Sequence, residues 1–380
     1  MITFKKVEDF TGLENRKLEI KNRKSNKPRL IAFEVTRRCK FRCKHCRANA
    51  QQSAAGGELT TEQCERILAS IAQFSKSMII LTGGEPMERS DIYELIRYGR
   101  DLGLRMVMAT CGYAINDESI AKLKEAGILA LSISLDGSSA QTHDKFRQTE
   151  GAFDSAIKAA KSARWAGIRF QVNTTITKSN LREVSAIAKL AEELGAYCFN
   201  PFILVPTGRG EKIASEVLEP AEYEKLLRDL LRLKEKSPIE VRVTCGPQFA
   251  RVCHQAELAS AKSSQTIVHR PSSIVNSVSG CMGGRGFGFI SYRGDVQTCG
   301  FLDISAGNLV ENSFDFGKIW VESQLLKEIR NLSAYKGNCG ICEYVGVCGG
   351  CRARAYAMTG DYLDTDPVCN YQPRIFTNSL

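Results

Sequence analysis

The chain has 380 residues, of which 43% are hydrophobic and 25% charged, and its formal net charge is +10. This composition is typical of a globular protein with a sizeable core, and the length predicts one large domain and a smaller one. No apolar run approaches the ~20 residues that span a bilayer, and the first residues lack the apolar segment of a secretory signal, so we expect a cytoplasmic protein without a membrane partner.

Positive charge is concentrated before the first predicted strand, in a segment that contains Arg16, Lys17, Lys21, Arg23, Lys24, Lys27 and Arg29. On charge alone such a segment is compatible with nucleic-acid binding. A solvated N-terminal arm is the more common explanation, and contact with a substrate that carries several carboxylates is a third. We favour the solvated arm and expect no nucleic-acid partner.

Apolar strand patterns alternate with amphipathic helical patterns from residue 30 to about residue 235. The predicted strands are Leu30–Val35, Met78–Leu81, Arg105–Ala109, Ala130–Leu135, Arg169–Ile176 and Tyr197–Val205. The predicted helices are Thr61–Phe74, Asp91–Leu102, Ile115–Ala126, Phe153–Ala166 and Leu181–Leu194. Four of these helices should end at a glycine in the left-handed conformation, namely Gly103, Gly127, Gly167 and Gly195. Strands that alternate with helices predict a parallel sheet, and ligands bind at the carboxyl ends of such strands.

Residues 206–280 have a different character. Pro206–Gly210 is a turn-rich exit from the sixth strand, and a helix is predicted over Ala221–Lys236. A further strand is predicted around Ile239–Thr244. The stretch Ser260–Ser279 shows little periodicity and is predicted to be a loop.

Fifteen cysteines are present, most of them in short-spaced groups. Disulfides are rare in the cytoplasm, so the groups indicate metal ligation. The isolated Cys64, Cys111 and Cys198 fall in or at the ends of helical and strand patterns. We expect them to be small buried hydrophobic residues.

The first group is Cys39-x3-Cys43-x2-Cys46, directly after the first predicted strand. Structural zinc takes four ligands, usually as two pairs, and the nearby His45 is poorly placed to complete such a set. Three thiolates suit a [4Fe–4S] cluster better, and they leave one iron open to bind a small molecule and do chemistry.

This spacing resembles that of the radical S-adenosylmethionine (SAM) enzymes, and three further motifs resemble theirs. Thr82–Pro86 follows the second strand, Ser132–Gly137 ends the fourth, and Val172–Thr175 lies in the fifth. The resemblance implies a partial (β/α)6 barrel, with Cys39, Cys43 and Cys46 holding the radical SAM cluster. It also implies contacts of bound SAM with Gly83, Gly84, Glu85, Ser134, Asp136, Arg147 and Asn173, the Glu85 carboxylate meeting the amino group and Arg147 the carboxylate. His45 is expected near the adenine.

A second array of cysteines fills the C-terminal region, as Cys281, Cys299, Cys339-x2-Cys342-x5-Cys348-x2-Cys351 and Cys369. It resembles the auxiliary-cluster (SPASM) module of many radical SAM enzymes, although that family usually has three residues between the cysteines that correspond to Cys348 and Cys351. A zinc ribbon is the alternative. The resemblance implies one or two auxiliary [4Fe–4S] clusters, one held by Cys339, Cys342, Cys348 and Cys369. Another would be held by Cys281, Cys299 and Cys351, with the fourth ligand left open between Cys245, Cys253 and the substrate.

The domain organisation follows from these motifs. We expect an α/β fold with a basic extension (1–29), the radical SAM partial barrel (30–235), a linker and loop region (236–280) and a SPASM-like auxiliary-cluster domain (281–380).

The sequence around the C-terminal cysteines resembles that of the tetrapyrrole-modifying branch of the superfamily. It is most similar to the heme b synthases of the siroheme-dependent pathway. The segments that carry the resemblance to the branch are Cys281–Ser291, Cys299–Asn308 and Cys348–Tyr356. The resemblance to the heme b synthases is carried by Cys46–Ala48 together with Arg352–Tyr362. It implies an oxidoreductase that oxidatively decarboxylates two propionates of iron-coproporphyrin III to vinyl groups, giving heme b. The radical would take a hydrogen atom, an auxiliary cluster would accept an electron, and no acid–base side chain is needed. An electron donor such as ferredoxin or flavodoxin is implied.

Several alternatives remain open at this point. They are a didecarboxysiroheme deacetylase, an enzyme of the heme d1 pathway, a SPASM peptide-modifying enzyme, and a non-catalytic electron carrier or zinc adaptor. The Gly-Gly-Glu-Pro element argues against the last, since a carrier needs no amino-acid pocket. Candidates for pairing with propionates are Arg285, Arg209 and the cations before the first strand, and candidates for an axial iron ligand are His143, His254 and His269.

Overall fold

A computed structural model describes residues 27–263 and 280–374. Its strands are β1 (Leu30–Thr36), β2 (Met78–Gly83), β3 (Arg105–Thr110), β4 (Ala130–Ser134), β5 (Arg169–Ile176), β6 (Cys198–Ile203), β7 (Glu240–Val241), β8 (Phe287–Ile290), β9 (Asp295–Gln297) and β10 (Gly307–Asn308). They form one sheet in the order β10-β9-β8-β1-β2-β3-β4-β5-β6-β7.

The α-helices pack around this sheet and against one another. They are α1 (Thr61–Phe74), α2 (Ile92–Asp101), α3 (Asp117–Ala126), α4 (Ala140–Arg147), α5 (Ala152–Trp165), α6 (Val184–Leu194), α7 (Pro220–Lys236), α8 (Gln248–Ser263), α9 (Phe316–Glu322), α10 (Gln324–Arg330), α11 (Gly337–Ile341) and α12 (Arg352–Thr359). Short 3-10 segments cover Pro86–Glu88, Leu181–Glu183, Gly208–Glu216 and Leu332–Ala334. Across the described part of the chain, no helix combines the length and apolarity that crossing a membrane requires.

The predicted parallel core is confirmed. Strands β1 to β6 pair in parallel and in chain order, and the bounds of β5 match the prediction. The four glycines predicted to end helices have φ values between +72° and +97°, as left-handed C′ residues do. The predicted strand over Ile239–Thr244 is shorter, because only Glu240–Val241 pairs as a strand and Thr244 forms one isolated bridge.

The sheet extends beyond the predicted strands at the β1 edge. β8 pairs in parallel with β1, and β9 and β10 continue from it in antiparallel pairs. β8 has only four residues, and one of them is Gly288, where a Cβ would come within 2.8 Å of the Trp320 ring. So short a segment with an internal glycine carries no readable strand pattern. The C-terminal region is thus joined to the barrel through one continuous sheet.

Six of the described α-helices were not predicted. α4 follows the Ser132–Gly137 motif, α8 follows Cys245, and α9 to α12 lie in the C-terminal region. The end of α8, Ser260–Ser263, falls in the stretch predicted to be a loop, so that part of the prediction is wrong. The remainder of the predicted loop (264–279) and most of the basic arm (1–26) lie outside the described residues.

The two faces of the parallel strands differ in chemistry. In β5 the side chains of Phe170, Val172 and Ile176 are buried, in the main hydrophobic core. The alternate residues Gln171 and Asn173 are half-buried and polar. Since successive side chains of a strand point to opposite faces, these polar residues line the concave face of the sheet, which we call the lumen.

Candidate active site

The Cys39–Cys46 loop leaves β1 at its carboxyl end. Its cysteines pack in one cluster with Cys111 and Tyr113. Backbone amides donate to the sulfurs, from Phe41 to Cys39 Sγ at 3.4 Å and from Ala50 to Cys46 Sγ at 3.5 Å. Amide donors aimed at sulfur stabilise thiolates, which are the form that binds iron. The loop therefore fits the three-cysteine ligand set inferred from its spacing.

Arg209 holds this loop in place. Its Nε donates to the carbonyl of Cys43 at 2.9 Å and its Nη1 to that of Ala50 at 2.6 Å. The preceding Gly208 has φ +58°, and a Cβ there would lie 2.4 Å from the carbonyl oxygen of Arg47. Arg209 is a candidate for pairing with a substrate propionate. Its Nε and Nη1 are engaged by the loop, and its Nη2 is buried with no hydrogen-bond partner among the described residues. The signal for these loop contacts in the sequence is the Thr-Gly-Arg-Gly turn after β6.

Gly83 and Gly84 serve a close approach of backbone to backbone. A Cβ at Gly83 would lie 2.1 Å from the carbonyl oxygen of Thr36, and one at Gly84 would lie 2.3 Å from that of Arg38. The end of β2 is therefore pressed against the start of the cysteine loop, where the register of β1 and β2 shifts. Their predicted contact with SAM stays a prediction.

Glu85 is fully buried, and both of its carboxylate oxygens accept hydrogen bonds from the protein. Thr110 Oγ1 donates at 2.8 Å, Cys111 N at 2.8 Å and Cys111 Sγ at 2.9 Å. Burial raises the pKa of Glu85. The carboxylate thus ties β2 to β3, and its predicted role toward an amino group stays a prediction. Cys111 is buried as expected, but its thiol is a hydrogen-bond donor beside the cysteine loop.

Asp136 and Arg147 form a buried ion pair next to Cys43. Arg147 Nε lies 2.6 Å from Asp136 Oδ2, and Arg147 Nη1 donates to Cys43 Sγ at 3.6 Å. Burial alone would raise the pKa of Asp136, but the guanidinium outweighs it and lowers that pKa below its usual range. In the structure Arg147 contacts a cysteine sulfur, and its predicted contact with the carboxylate of SAM stays a prediction.

The histidines in the barrel are neutral and packed. His45 stacks on Phe146 with ring centroids 4.4 Å apart, and burial lowers its pKa to about 3. His143 is fully buried, and its Nδ1 accepts from the Asp136 amide at 2.9 Å. That environment disfavours His143 as an axial iron ligand. His254 packs edge-on against Tyr344, and His269 lies outside the described residues.

Polar side chains line the lumen next to the cysteine loop. Ser134 on β4 pairs in register with Asn173 on β5. Asn173 Oδ1 accepts from Gln171 Nε2 at 2.8 Å and from Asn200 Nδ2 at 3.3 Å. Ser134 and Asn173 are half-buried, so both can still meet a ligand, and their predicted contacts with SAM stay predictions.

In the C-terminal region the structure brings Cys339, Cys342, Cys348 and Cys369 around one cavity; we call them the Cys339 group. Nitrogen donors point at two of the sulfurs. Arg352 Nη2 lies 3.4 Å from Cys339 Sγ, and Gly350 N lies 3.4 Å from Cys348 Sγ. These are the four cysteines that the resemblance assigns to one cluster.

A second set, the Cys245 group, consists of Cys245, Cys281, Cys299 and Cys351. The Cys245 thiol lies beside that of Cys351 and lowers the pKa of Cys351 to about 7. Burial raises the pKa of Cys281 and of Cys299, and the nearby charge of Cys351 raises both further. Cys253 instead packs in the main core, near charged groups that include Lys234. Of the two cysteines considered as a fourth ligand, Cys245 is therefore the one that lies with the others, and whether it or the substrate completes the site stays a prediction.

Within residues 27–263 and 280–374, no three His, Cys, Asp or Glu side chains are arranged as ligands of a single metal ion. A [4Fe–4S] cluster takes four thiolates, and both C-terminal groups supply that number. The residues present therefore fit clusters in kind and number.

A buried ion pair links the two C-terminal groups. Arg354 and Asp366 are both fully buried, and two hydrogen bonds of 2.9 and 2.8 Å join them. Arg354 Nη1 donates to the carbonyl of Cys245 at 2.9 Å, and the Cys351 amide donates to Asp366 Oδ2 at 2.9 Å. The Cys369 amide donates to the Asp366 carbonyl at 3.0 Å. Arg354 lies in the Cys348–Tyr356 segment, but nothing in the sequence indicates its pairing with Asp366.

Arg285, the other named candidate for binding a propionate, is engaged within the C-terminal region. Its Nη2 donates to the carbonyl of Ile329 at 2.7 Å and to the hydroxyl of Tyr335 at 3.0 Å. This side chain therefore joins α10 to the segment before α11.

Arg47 connects the cysteine loop with the Cys245 group. It follows Cys46, its Nη1 bonds Glu34 at 3.1 Å, and its guanidinium lies 4.5 Å from the ring centroid of Phe289 on β8. A Cβ on Gly300, the residue after Cys299, would lie 3.0 Å from Arg47 Nε. The turn that carries Cys299 is therefore adjacent to the loop that carries Cys46.

The fold and the cysteine loop agree with a family comparison. The model of the Radical SAM superfamily matches residues 33–191. A crystal structure of Streptococcus suis SuiB bound to S-adenosylmethionine superposes with a TM-score of 0.69 at 16% identity, covering 94% of this chain and 81% of that one. That likeness concerns the fold, and it agrees with the predicted radical SAM barrel and SPASM-like region. The protein is a radical SAM enzyme.

Sequence relatives narrow the class. The AdoMet-dependent heme synthase of Methanosarcina barkeri (strain Fusaro / DSM 804) is 42% identical over 349 residues, which are 92% of this chain and 98% of the relative. The Fe-coproporphyrin III synthase of the same strain is 33% identical over 361 residues, 91% of this chain and 88% of the relative. Within the radical SAM superfamily, the chain belongs to the family of the AdoMet-dependent heme synthases.

Proposed function

We propose that this enzyme oxidatively decarboxylates two propionates of iron-coproporphyrin III to vinyl groups, giving heme b. Each propionate would lose one hydrogen atom from the carbon β to its carboxylate, and then CO2 and one electron, which leaves a vinyl group. The similarity to proteins named AdoMet-dependent heme synthase and Fe-coproporphyrin III synthase supports a tetrapyrrole in heme biosynthesis as the substrate.

The observation that carries the proposal is the contact between the loop that carries Cys46 and the turn that carries Cys299. The reaction needs a hydrogen-abstracting site and an electron acceptor on the same substrate. Arg47 follows Cys46 and reaches Gly300, the residue after Cys299. Phe301 packs against the lumen residue Phe202, with ring centroids 6.5 Å apart. A substrate in the lumen could therefore meet both cysteine sites.

Cys39, Cys43 and Cys46 would hold the radical SAM cluster. A [4Fe–4S] cluster with one open iron supplies an electron to bound SAM, which then yields the hydrogen-abstracting radical. The chain supports this site with Arg209, which fixes the loop through two carbonyls, and with Arg147, which places positive charge beside Cys43. No side chain is needed as a general base, because the proposed reaction removes a hydrogen atom.

The two C-terminal groups would each hold an auxiliary [4Fe–4S] cluster, with Cys245 as the fourth ligand of the cluster nearer the lumen. A cluster ligated by four cysteines supplies a one-electron acceptor and leaves no iron open to substrate. An external donor such as ferredoxin or flavodoxin would reduce the enzyme. The half-buried aromatic side chains Phe202 and Phe301 suit a flat macrocycle.

The test is an anaerobic reaction of the iron–sulfur-loaded enzyme with SAM, a reductant and iron-coproporphyrin III. We expect stepwise loss of two formic-acid equivalents (CO2 plus two hydrogens each) by mass spectrometry, together with 5′-deoxyadenosine. The variant with Cys39, Cys43 and Cys46 replaced by Ala is the control and should produce neither. Formation of 5′-deoxyadenosine with unchanged porphyrin would contradict the substrate, and didecarboxysiroheme would then be tried.

A further inference from the structure

We propose that Arg352 is a positioning residue that raises the reduction potential of the cluster in the Cys339 group, through a charged hydrogen bond to Cys339 Sγ. The inference rests on the proposed function in one respect, namely that this group holds a cluster.

The guanidinium of Arg352 is fixed by contacts that do not involve the cysteines. The side chain is buried, with 3% of its surface exposed. Its Nη1 donates to the carbonyls of Asp364 at 2.7 Å and Tyr362 at 3.1 Å, and the group lies 4.5 Å from the ring centroid of Tyr335. Its Nε lies 3.5 Å from the carbonyl oxygen of Gly350, and its Nη2 points at Cys339 Sγ at 3.4 Å. The donor is therefore aimed at the thiol by its surroundings.

The described contacts of Arg352 differ from those of two neighbouring buried arginines. Arg354 pairs with Asp366, and Arg251 pairs with Glu224. The hydrogen bonds of Arg352 go to backbone carbonyls and to the sulfur of Cys339. Its charge acts first on Cys339, to which it is hydrogen-bonded, and more weakly on Cys281 of the Cys245 group.

The turn before Arg352 is shaped for this contact. Gly349 and Gly350 both lie in the left-handed region, with φ values of +73° and +58°. A Cβ on Gly350 would come within 2.2 Å of Arg352 Nη2 and 3.1 Å of Cys339 Sγ. This is the place where the chain has two residues between Cys348 and Cys351. The short glycine turn leaves the space in which the guanidinium meets the thiol.

The physical effect follows from charge. Reduction adds one negative charge to a cluster, so a cation hydrogen-bonded to a ligand sulfur stabilises the reduced form more than the oxidised form. Arginine stays charged at every relevant pH. Removing the charge should lower the ratio of reduced to oxidised cluster about tenfold at a fixed potential. For one electron, that corresponds to a midpoint lower by about 59 mV.

The experiment is a redox titration of the full-length, cluster-loaded enzyme, followed by electron paramagnetic resonance, with iron and sulfide content measured in parallel. The signal that disappears in Cys342→Ala identifies the Cys339 group. We expect Arg352→Gln to lower the midpoint of that signal by the stated amount at unchanged iron content. The control is Arg285→Gln, which removes a half-buried arginine beside Tyr335, and it should leave that midpoint unchanged.

Three results would overturn the inference. They are an unchanged midpoint in fully loaded Arg352→Gln, an equal shift in Arg285→Gln, or loss of this group's iron in both Arg352→Gln and Arg352→Lys. The last would show that Arg352 builds the site without tuning it. If only the Gln variant fails to load, Arg352→Lys is titrated, and a smaller downward shift is expected. If Cys342→Ala removes neither iron nor signal, the proposed cluster itself is wrong. That result differs from an unchanged midpoint in Arg352→Gln, which would contradict only the role of Arg352.

Discussion

The cysteine loop after β1 and the C-terminal cysteine groups bring thiols together by different means. The loop places Cys39, Cys43 and Cys46 in one short segment, held by backbone amides and by Arg209. The Cys245 group draws its thiols from four separate segments between residues 245 and 351. A local loop is fixed mainly by its own backbone, whereas an assembled site depends on whatever fixes the segments relative to one another.

Each region contains a fully buried aspartate that pairs with an arginine, and the two pairs act on different atoms. Arg147, paired with Asp136, reaches the sulfur of Cys43. Arg354, paired with Asp366, reaches the carbonyl of Cys245. The first pair therefore acts on the charge of a ligand and the second on its position. This contrast suggests that the two regions will fail in different ways.

The largest expected effect comes from removing one thiol of the loop. Cys43→Ala should lose the radical SAM cluster, because the loop supplies only three thiolates and the cluster needs all of them. SAM cleavage should then fall below detection. The C-terminal groups do not share this thiol, so iron content should fall by roughly four atoms per chain, the content of one [4Fe–4S] cluster. Iron analysis and 5′-deoxyadenosine formation check this. Loss of all iron would contradict the independence of the two regions.

The next largest effect is expected from Asp366→Asn. It leaves the Arg354 charge buried without its partner, which costs about 3–5 kcal/mol in buried pairs. The Cys245 and Cys351 backbones lose their common anchor, so iron should be lost from the C-terminal groups while SAM cleavage persists. Thermal unfolding, iron content and 5′-deoxyadenosine formation measure the two parts.

Asp361→Asn is the matched control for that variant. Asp361 lies in the same C-terminal segment and pairs with Lys336 at the surface. Exposed pairs contribute little, so stability and iron content should stay close to those of the unmodified enzyme. Equal damage in both variants would show that the segment, and not the buried pair, is sensitive.

The same contrast explains how much could be predicted from the sequence. The parallel strands and the helix-ending glycines depend on local periodicity, and the structure confirms them. The Cys39 loop was found from its spacing, and its role as a cluster ligand set stays a prediction. Cys245 could be named only as one of two candidates, because its neighbours Cys299 and Cys351 are remote in sequence. The pairing of Asp366 with Arg354 could not be found, since an ion pair between two charged residues has no local sequence pattern.

Some motifs were recognised while the contacts of their residues were not. The Gly-Gly-Glu-Pro element lies at the end of β2 as expected, yet Gly83 faces the carbonyl of Thr36 and Glu85 bonds Thr110 and Cys111. Spacing identifies a motif, but it does not say which of its atoms face a ligand and which face the protein. That distinction depends on how closely β1, β2 and β3 approach one another.

A smaller effect is expected when the loop loses its clamp. Arg209→Met removes two charged hydrogen bonds to the carbonyls of Cys43 and Ala50. Hydrogen bonds to charged groups contribute about 1.5–3 kcal/mol each, so we expect SAM cleavage to fall about 10- to 100-fold, with the C-terminal clusters retained. Lys212→Met, at an exposed position of the same 3-10 segment, should leave the rate unchanged. An unchanged rate in Arg209→Met would mean that the loop holds itself.

The smallest effect is a pH dependence at Glu85. Burial raises the pKa of Glu85 in the folded state, so its ionisation opposes folding. The resulting loss of stability is complete above the folded pKa and absent below the unfolded value of about 4.3. Stability should therefore rise as the pH falls through this window, and Glu85→Gln should remove that rise.

The measurement is the difference in melting temperature between variant and parent from about pH 8 to about pH 5. Glu118→Gln serves as the control, because Lys122 lowers the pKa of Glu118 and no such rise is expected. A pH-independent difference for Glu85→Gln would show that the hydrogen bonds from Thr110 and Cys111 keep this carboxylate ionised, as Arg354 does for Asp366.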